Sequence, residues 1–150
     1  GRGPSYAAAK TAALITKESA KFPVEGMTAA QFRHGPLEMA DERLSVIVLA
    51  GSGPTREMNE KLALELHGYG AKVVWLDTQP HPHPPPTQKP TPGNPNAVAG
   101  EVEGSEVEGS EVEGPIAEIL PLQLLTISLA AQTGVEPGIF RHIGKVTTTE

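Results

Sequence analysis

A chain of 150 residues is long enough for one domain with its own hydrophobic core, and the absence of cysteine excludes disulfide bonds and thiolate metal sites. The net charge of −6 equals that of the six glutamates in residues 101–113, so the rest of the chain is close to neutral and lacks the basic surface that nucleic-acid binding requires. No run of eighteen apolar residues and no leader pattern is visible, so we expect a cytoplasmic protein with no membrane partner.

The first predicted element is a long helix. Pro4 suits the first helical turn, and Ser5 is a candidate N-terminal cap of this helix. The alanine-rich run from residue 6 to about residue 22 has high helix propensity. Pro23 is expected to end this helix, because proline cannot continue the helical hydrogen bonding.

A strand, a helix and a second strand come next. Residues 44–51, LSVIVLAG, form a continuous β-branched apolar run that is typical of a strand buried on both faces. Residues 55–70 carry Met58, Leu62 and Leu66 on one helical stripe, and residues 71–77 form the next apolar strand. This spacing predicts a βαβ unit, and hence a parallel sheet with helices on both faces.

The composition changes between residues 79 and 115. Eight of the fifteen prolines lie in residues 80–95 and three EVEG repeats follow, so we predict a Pro-rich and Glu-rich insertion within a single domain over residues 1–150; a tethering arm is the alternative. His81 and His83 lie here, but two histidines without a third ligand do not predict a metal site. Residues 116–134 are predicted to form a helix that is apolar all round, hence buried, and that ends at Gly134.

Glu18 is the first candidate for chemistry. On the predicted first helix it shares a face with Thr11 and Leu14, so its carboxylate is expected to be partly shielded from water. A partly shielded carboxylate can act as a general base. The alternative is a surface glutamate that forms an ion pair with Lys17 or Lys21.

His34 is the second candidate. It follows a short helix predicted over residues 29–32, with Thr28 as the cap, and it precedes the helix-breaking Gly35-Pro36. Its imidazole is therefore expected to project from a helix end, where it could transfer protons near neutral pH. The alternative is a histidine with a structural role.

Two loops could bind an anion. The C-terminal loop carries Arg141, His142 and Lys145 within five residues, and arginine can bind phosphate or carboxylate through two hydrogen bonds. The alternative for this loop is a solvated basic tail. The loop GSGPT, residues 51–55, joins a strand to a helix N-terminus, which makes Ser52 and Thr55 candidates for phosphate contacts. Its alternative is a glycine-rich turn without a ligand.

Four segments in this order resemble a known family: GRGPSYAAA, KESAKFPVEGMTAAQFRHGPLEMAD, PLQLL and EPGIFRHIGKVTTTE. Together they are similar to the second SIS (sugar isomerase) domain of the glucosamine-6-phosphate synthase class, in particular to relatives with two SIS domains and no glutaminase part. The resemblance implies an α/β fold, a three-layer αβα sandwich around a parallel sheet of the flavodoxin or Rossmann kind. The strand expected before residue 1 is missing, so we expect this sandwich to be incomplete at the N-terminus.

The resemblance also implies roles for individual residues. In the family a histidine opens the sugar ring, a glutamate moves a proton between C1 and C2, and a lysine in the C-terminal tail closes the pocket. By their places in the motifs these are His34, Glu18 and Lys145, with Arg141 orienting the tail, and no cofactor or metal is implied. The family histidine often serves the neighbouring subunit's pocket. This implies a homodimer, a preceding SIS domain or both, with a phosphorylated sugar as the ligand.

Two departures from the family pattern divide the functional hypotheses. Ile15 stands where the synthases carry a second lysine, and the loop that grips the phosphate belongs to a first SIS domain. We therefore predict the C-terminal half of an aldose–ketose isomerase, or of an amino-sugar phosphate synthase or deaminase, acting on substrates of the fructose 6-phosphate or glucosamine 6-phosphate type. The alternative is a non-catalytic module that binds sugar phosphate or dimerises.

Overall fold

The computed structural model describes residues 1–78 and 113–142. Their elements, in chain order, are α1 (Ser5–Ala20), α2 (Ala29–Arg33), a short 3-10 helix (Pro36–Met39), β1 (Ser45–Leu49), α3 (Gly53–Gly68), β2 (Lys72–Leu76) and α4 (Glu113–Gln132). The predicted order of elements is confirmed. The predicted insertion lies outside the described residues except at its end, where residues 113–115 already belong to α4.

The two strands form the predicted parallel pair. Leu49 of β1 is in register with Leu76 of β2, and α3 connects the strands. Val48 packs into a cluster with residues of α2 and α3, whereas Leu49 packs into a second cluster with residues of α1 and α4. Neighbouring side chains in a strand point to opposite faces, so helices contact both faces of the sheet. The described residues contribute two strands, and the full three-layer sandwich stays a prediction.

The prediction that both strands are buried on both faces is wrong for one face. Ile47 and Val74, which are register partners, are 36% and 55% exposed. On this face α1 and α4 pack against Leu49 and Leu76, at the carboxyl ends of the strands. The apolar run correctly predicted strands, but it could not show how far along them the covering helices would extend.

The predictions for the ends of the first two helices were right for α2 and wrong for α1. Thr28 caps α2 through its side chain, and Gln31 completes a reciprocal capping box. Helix α1 ends at Ala20, before the predicted limit, because Lys21 adopts the left-handed conformation with φ 54°. Ser5 does not cap α1, since it lies inside the helix and its hydroxyl is turned toward α4.

Helices α1 and α4 are joined by two buried or partly buried polar contacts. The Ser5 hydroxyl donates a hydrogen bond to Oε1 of Glu118 at 2.9 Å. Farther along, the hydroxyls of Thr16 and Thr126 are 2.7 Å apart, and Thr126 donates its own proton to the carbonyl of Leu122. Thr16 is therefore the donor, because each hydroxyl has one proton to give. The second contact lies closer to the C-terminal end of both helices than the first, so α1 and α4 run in the same direction.

The prediction that α4 is buried on all sides is wrong. Its outward face carries Ile116, Leu120, Leu124 and Ile127, which are 66%, 62%, 59% and 54% exposed. We call these four residues the α4 stripe. Gly134, with φ 68°, follows the end of the helix as predicted.

By length and composition, α4 also meets the criterion for a helix that could cross a bilayer. Residues 114–132 have a mean hydropathy of 1.4, and this helix alone passes among the residues that the structure describes. The sequence-based exclusion of such a helix was too strict, since polar residues scattered through the segment lower its average hydropathy only moderately. One helix of this kind is weak evidence for a membrane span, because helices in protein cores can have the same length and hydropathy.

Glu118 is the buried titratable group between these helices. Its side chain is 3% exposed, and its Oε2 atom has no hydrogen-bond partner in the described part of the chain. Burial raises the pKa of Glu118 above 4.5, and the hydrogen bond from Ser5 opposes this shift. The folded chain therefore binds this proton more tightly than the unfolded chain. Ionisation of Glu118 costs no stability below pH 4.5, and stability falls as the pH rises above that value.

We predict that Glu118→Gln removes this pH-dependent loss, because the amide carries no charge to bury. The free energy of unfolding of the variant, relative to the natural chain, should increase as the pH is raised from about 4.5 to about 7.5. Urea unfolding at several pH values measures it. Ser5→Ala, which removes the hydrogen bond to the ionised carboxylate, should make the loss larger. Parallel pH profiles for all three chains would contradict the assignment.

Candidate functional site

The candidate site is a shallow groove of about 500 Å³ at the C-terminal end of α1. Two separate parts of the chain meet there: the end of α1 with the turn after it, and the segment after α4. The residues that line the groove are Lys17, Glu18, Lys21, Phe22, Pro23, Phe140, Arg141 and His142. The structure thus brings together Glu18 and Arg141, two of the predicted site residues.

Glu18 is half-buried and lines this groove, and its carboxylate forms no ion pair within residues 1–78 and 113–142. Lys17 instead lies 3.6 Å from Glu25, which belongs to the connection between α1 and α2. The amine of Lys21 donates to the main-chain carbonyls of Glu18 and Ile139. The alternative prediction, an ion pair between Glu18 and one of these lysines, is therefore not observed.

The electrostatic character of the groove favours an anion. Lys17, Lys21 and Arg141 contribute three cationic side chains to the lining, and Glu18 contributes the carboxylate. The excess of positive charge near a partly shielded surface attracts anionic ligands. Among the described residues, no cluster of three or more histidine, cysteine or acidic side chains could bind a metal ion. The His81 and His83 pair lies outside the described residues.

His34 does not line this groove. It is the C-terminal capping residue of α2, its side chain is exposed, and its backbone amide donates to the carbonyl of Gln31. The preceding Arg33 forms an ion pair with Glu65 of α3, which fixes this end of α2 on the fold. The prediction of an imidazole projecting from a helix end is confirmed. Contact between His34 and Glu18 is not observed within one chain.

Ser52 and Thr55 lie near the other end of α1. Asn59 donates to the carbonyl of Ala50, which directly precedes the loop of residues 51–55, and accepts from Arg2, which precedes α1. Thirteen residues separate Ser5 from Glu18, or about 20 Å along a helix axis at 1.5 Å per residue. The Thr55 hydroxyl donates to the carbonyl of Ser52 at 2.6 Å, and Ser52 is exposed. The geometry therefore separates this loop from the groove.

Three groove residues were not predicted as parts of a site, namely Lys21, Phe22 and Phe140. Lys21 had been considered only as an ion-pair partner for Glu18. The aromatic pair could have been noticed, since Phe22 follows the end of α1 and Phe140 adjoins Arg141 in a chain with only three phenylalanines. Lys145, the predicted tail lysine, lies outside the described residues.

Comparison with known proteins adds independent information. The family model for the SIS domain matches residues 1–82, which is more than half of the chain. The chain is also 29% identical, over all of its 150 residues, to a glutamine–fructose-6-phosphate aminotransferase (isomerizing) of Zymomonas mobilis, and 27% identical to one of Methanothermobacter thermautotrophicus. It spans 23% and 24% of these two relatives, about a quarter of their length.

A shorter relative, a Sphingobium yanoikuyae protein with the same name, is 29% identical to this chain over 155 aligned residues. In that case the alignment covers all of this chain and 89% of the relative. The family match includes α1, α2, α3, both strands and the groove residues at the end of α1, whereas the alignments with these relatives also include α4 and the segment that carries Arg141. On the strength of the family match and of the parallel βαβ unit that it contains, this chain belongs to the SIS domain family.

Proposed function

We propose that this chain is a phosphosugar-binding SIS domain that forms the C-terminal half of an aldose–ketose isomerase, or of an amino-sugar phosphate synthase or deaminase. Its substrates would be of the fructose 6-phosphate or glucosamine 6-phosphate type. The names of the relatives, which combine aminotransfer from glutamine to fructose 6-phosphate with isomerisation, support this class of substrate. Because the chain spans about a quarter of most of these relatives, the reaction of a whole protein is part of the proposal.

One observation carries the proposal: the half-buried Glu18 lines the same groove as Arg141 and Lys21. Isomerisation between an aldose and a ketose requires a base that removes a proton from one of two neighbouring carbons and returns it to the other. The negative charge that develops on the oxygens between these steps must be stabilised. A carboxylate next to cationic side chains provides both functions in one place.

In the proposed mechanism, Glu18 moves the proton between C1 and C2 of the open-chain sugar. Arg141 binds the anionic substrate, and Lys145 in the same tail closes the groove and offsets the developing charge. His34 transfers the proton that opens the sugar ring. This proton transfer requires no metal or cofactor, because the acid, the base and the compensating charges are all side chains.

We assign His34 to a site shared with a second copy of the chain. Its exposed position at the end of α2, away from the groove of its own chain, supports this assignment. The α4 stripe and the open face around Ile47 and Val74 are apolar surfaces that a partner domain could cover. The proposed partners are a homodimer mate, a preceding SIS domain or both, in the cytoplasm, with no role for nucleic acid or a membrane.

A second candidate is a non-catalytic module that binds the same ligand. Ile15 favours it, because this position lies about one turn before Glu18 and offers no amine for ammonia chemistry. The two candidates differ in one measurable respect. Calorimetric binding of fructose 6-phosphate or glucosamine 6-phosphate without any product in a turnover assay supports the second candidate over the first.

We predict that Glu18→Gln, made in the full-length gene product, lowers kcat for isomerisation by about 10²- to 10⁴-fold, the usual contribution of a general base. Binding of the sugar phosphate should persist, since the cationic groups remain. Glu25→Gln is the matched control: it removes the same charge beside α1, but Glu25 pairs with Lys10 and Lys17 and does not line the groove. Equal turnover by Glu18→Gln and the natural protein removes Glu18 from the mechanism.

Complementation tests the shared site. We expect His34→Asn and Glu18→Gln proteins to be inactive when each is prepared alone. After the two are dissociated, mixed and reassembled, mixed dimers should regain a fraction of the activity, because one of their two sites then combines an intact Glu18 with an intact His34. Turnover by the mixture that stays equal to the sum of the separate variants would place both residues in the same chain's site or outside the mechanism.

A further inference from the structure

Lys21 makes three contacts that join the two halves of the groove. Its amine donates to the carbonyl of Glu18, at the last turn of α1, and to the carbonyl of Ile139 at 2.8 Å. The same amine lies 5.5 Å from the centre of the Phe140 ring, within the range of a cation–π interaction. Residues 139–142, which carry Arg141, are thereby attached to the end of the helix that carries Glu18.

The backbone of Lys21 is unusual in a way that this attachment explains. Lys21 is the one residue other than glycine with a positive φ in the part of the chain that the structure describes. The left-handed conformation costs a side-chain-bearing residue roughly 1 kcal/mol or more, and glycine or asparagine normally occupies this position after a helix. The left-handed turn places the Lys21 side chain where it can reach both carbonyls, and these contacts offset the backbone cost.

We propose that Lys21 is a positioning residue that fastens segment 139–142 to the end of α1, and so sets the distance between Arg141 and Glu18. This inference rests on the proposed function only for its effect on the ligand; the attachment itself is independent of it. Lys21 contacts main-chain carbonyls and an aromatic ring of its own chain, and we assign it no direct contact with the ligand.

Comparison of Lys21 with the neighbouring Lys17 distinguishes a positioning role from a general electrostatic role in this groove. Lys17 lines the same groove and carries the same charge, yet its amine is directed to Glu25, and no hydrogen bond or ion pair joins Lys17 to segment 139–142 among the described residues. A general electrostatic role would make the two lysines equivalent. A positioning role makes Lys21 alone necessary for the placement of Arg141.

The chain has no cysteine, so two spin labels can be attached at chosen sites for distance measurements. We place them at Thr11→Cys on the exposed face of α1 and at His142→Cys in the segment. Lys21→Asn is the main variant, because asparagine tolerates the left-handed conformation but lacks the amine. Lys17→Met is the control for charge, and Lys21→Arg restores a cation that can donate hydrogen bonds. Circular dichroism and thermal unfolding establish that each labelled chain is folded.

We expect the distance distribution between the labels to at least double in width in Lys21→Asn, to stay narrow in Lys17→Met, and to be largely restored in Lys21→Arg. A distribution in Lys21→Asn as narrow as in the natural chain, with the same mean, overturns the attachment. Equal broadening in Lys17→Met and Lys21→Asn overturns a specific role for Lys21.

Titration with glucosamine 6-phosphate, carried out without labels, tests the consequence for the ligand. Lys21→Asn should bind about tenfold more weakly than the natural chain, a loss of about 1.4 kcal/mol, and Lys21→Arg should recover most of the affinity. Unchanged affinity in Lys21→Asn, together with a broadened distribution, overturns the positioning of Arg141 for the ligand. If the natural chain binds no sugar phosphate, the proposed function fails, while the label distances still decide the attachment.

Discussion

The parallel packing of α1 against α4 is the constraint on which the rest of the structure depends. Glu18 lies in the last turns of α1, and the segment that carries Arg141 follows α4, so the groove exists only if these helices keep their relative position. Apolar helix surfaces fix their relative position only through the fit of their side chains. The contacts between Ser5 and Glu118 and between Thr16 and Thr126 oppose sliding of one helix along the other, because a shifted helix would leave buried polar atoms without partners.

Glu118 shows that this specificity has a cost in stability. A buried carboxyl group with one oxygen that lacks a hydrogen-bond partner among the described residues is less stabilising than an apolar residue of similar size would be. It nevertheless links α1 to α4 at one end, while Lys21 links the helix to segment 139–142 at the other. Between these links the two helices form a rigid support, and the chemistry proposed for Glu18 takes place at its edge.

Local sequence patterns were sufficient for the order and type of the elements. The β-branched runs predicted β1 and β2, Thr28 predicted the start of α2, and Gly134 predicted the end of α4. Each of these features depends on short-range physics, such as side-chain branching, capping hydrogen bonds and the freedom of glycine at positive φ.

The features that the sequence could not provide depend on which surfaces meet. The hydrophobicity of α4 predicted burial, but the α4 stripe is exposed. The prediction failed because apolar character does not reveal which side of a helix has a neighbour. Ser5 is of a residue type that often caps helices, but its hydroxyl instead forms a hydrogen bond with a residue 113 positions away. The groove itself combines the end of α1 with residues 140–142, and only the pairing of α1 with α4 brings them together. Sequence patterns and the family resemblance both identified Glu18, His34 and Arg141 as candidates, whereas the structure was needed to find Lys21.

The left-handed Lys21 has a consequence for attempts to make this protein more heat-resistant. Stabilising substitutions are often sought at positions where a side chain strains the backbone, and glycine would remove that strain here. Such a change would relieve the turn after α1 and at the same time release the Arg141 segment. A substitution chosen only for backbone conformation would thus give a folded protein in which Arg141 is no longer held at a fixed distance from Glu18.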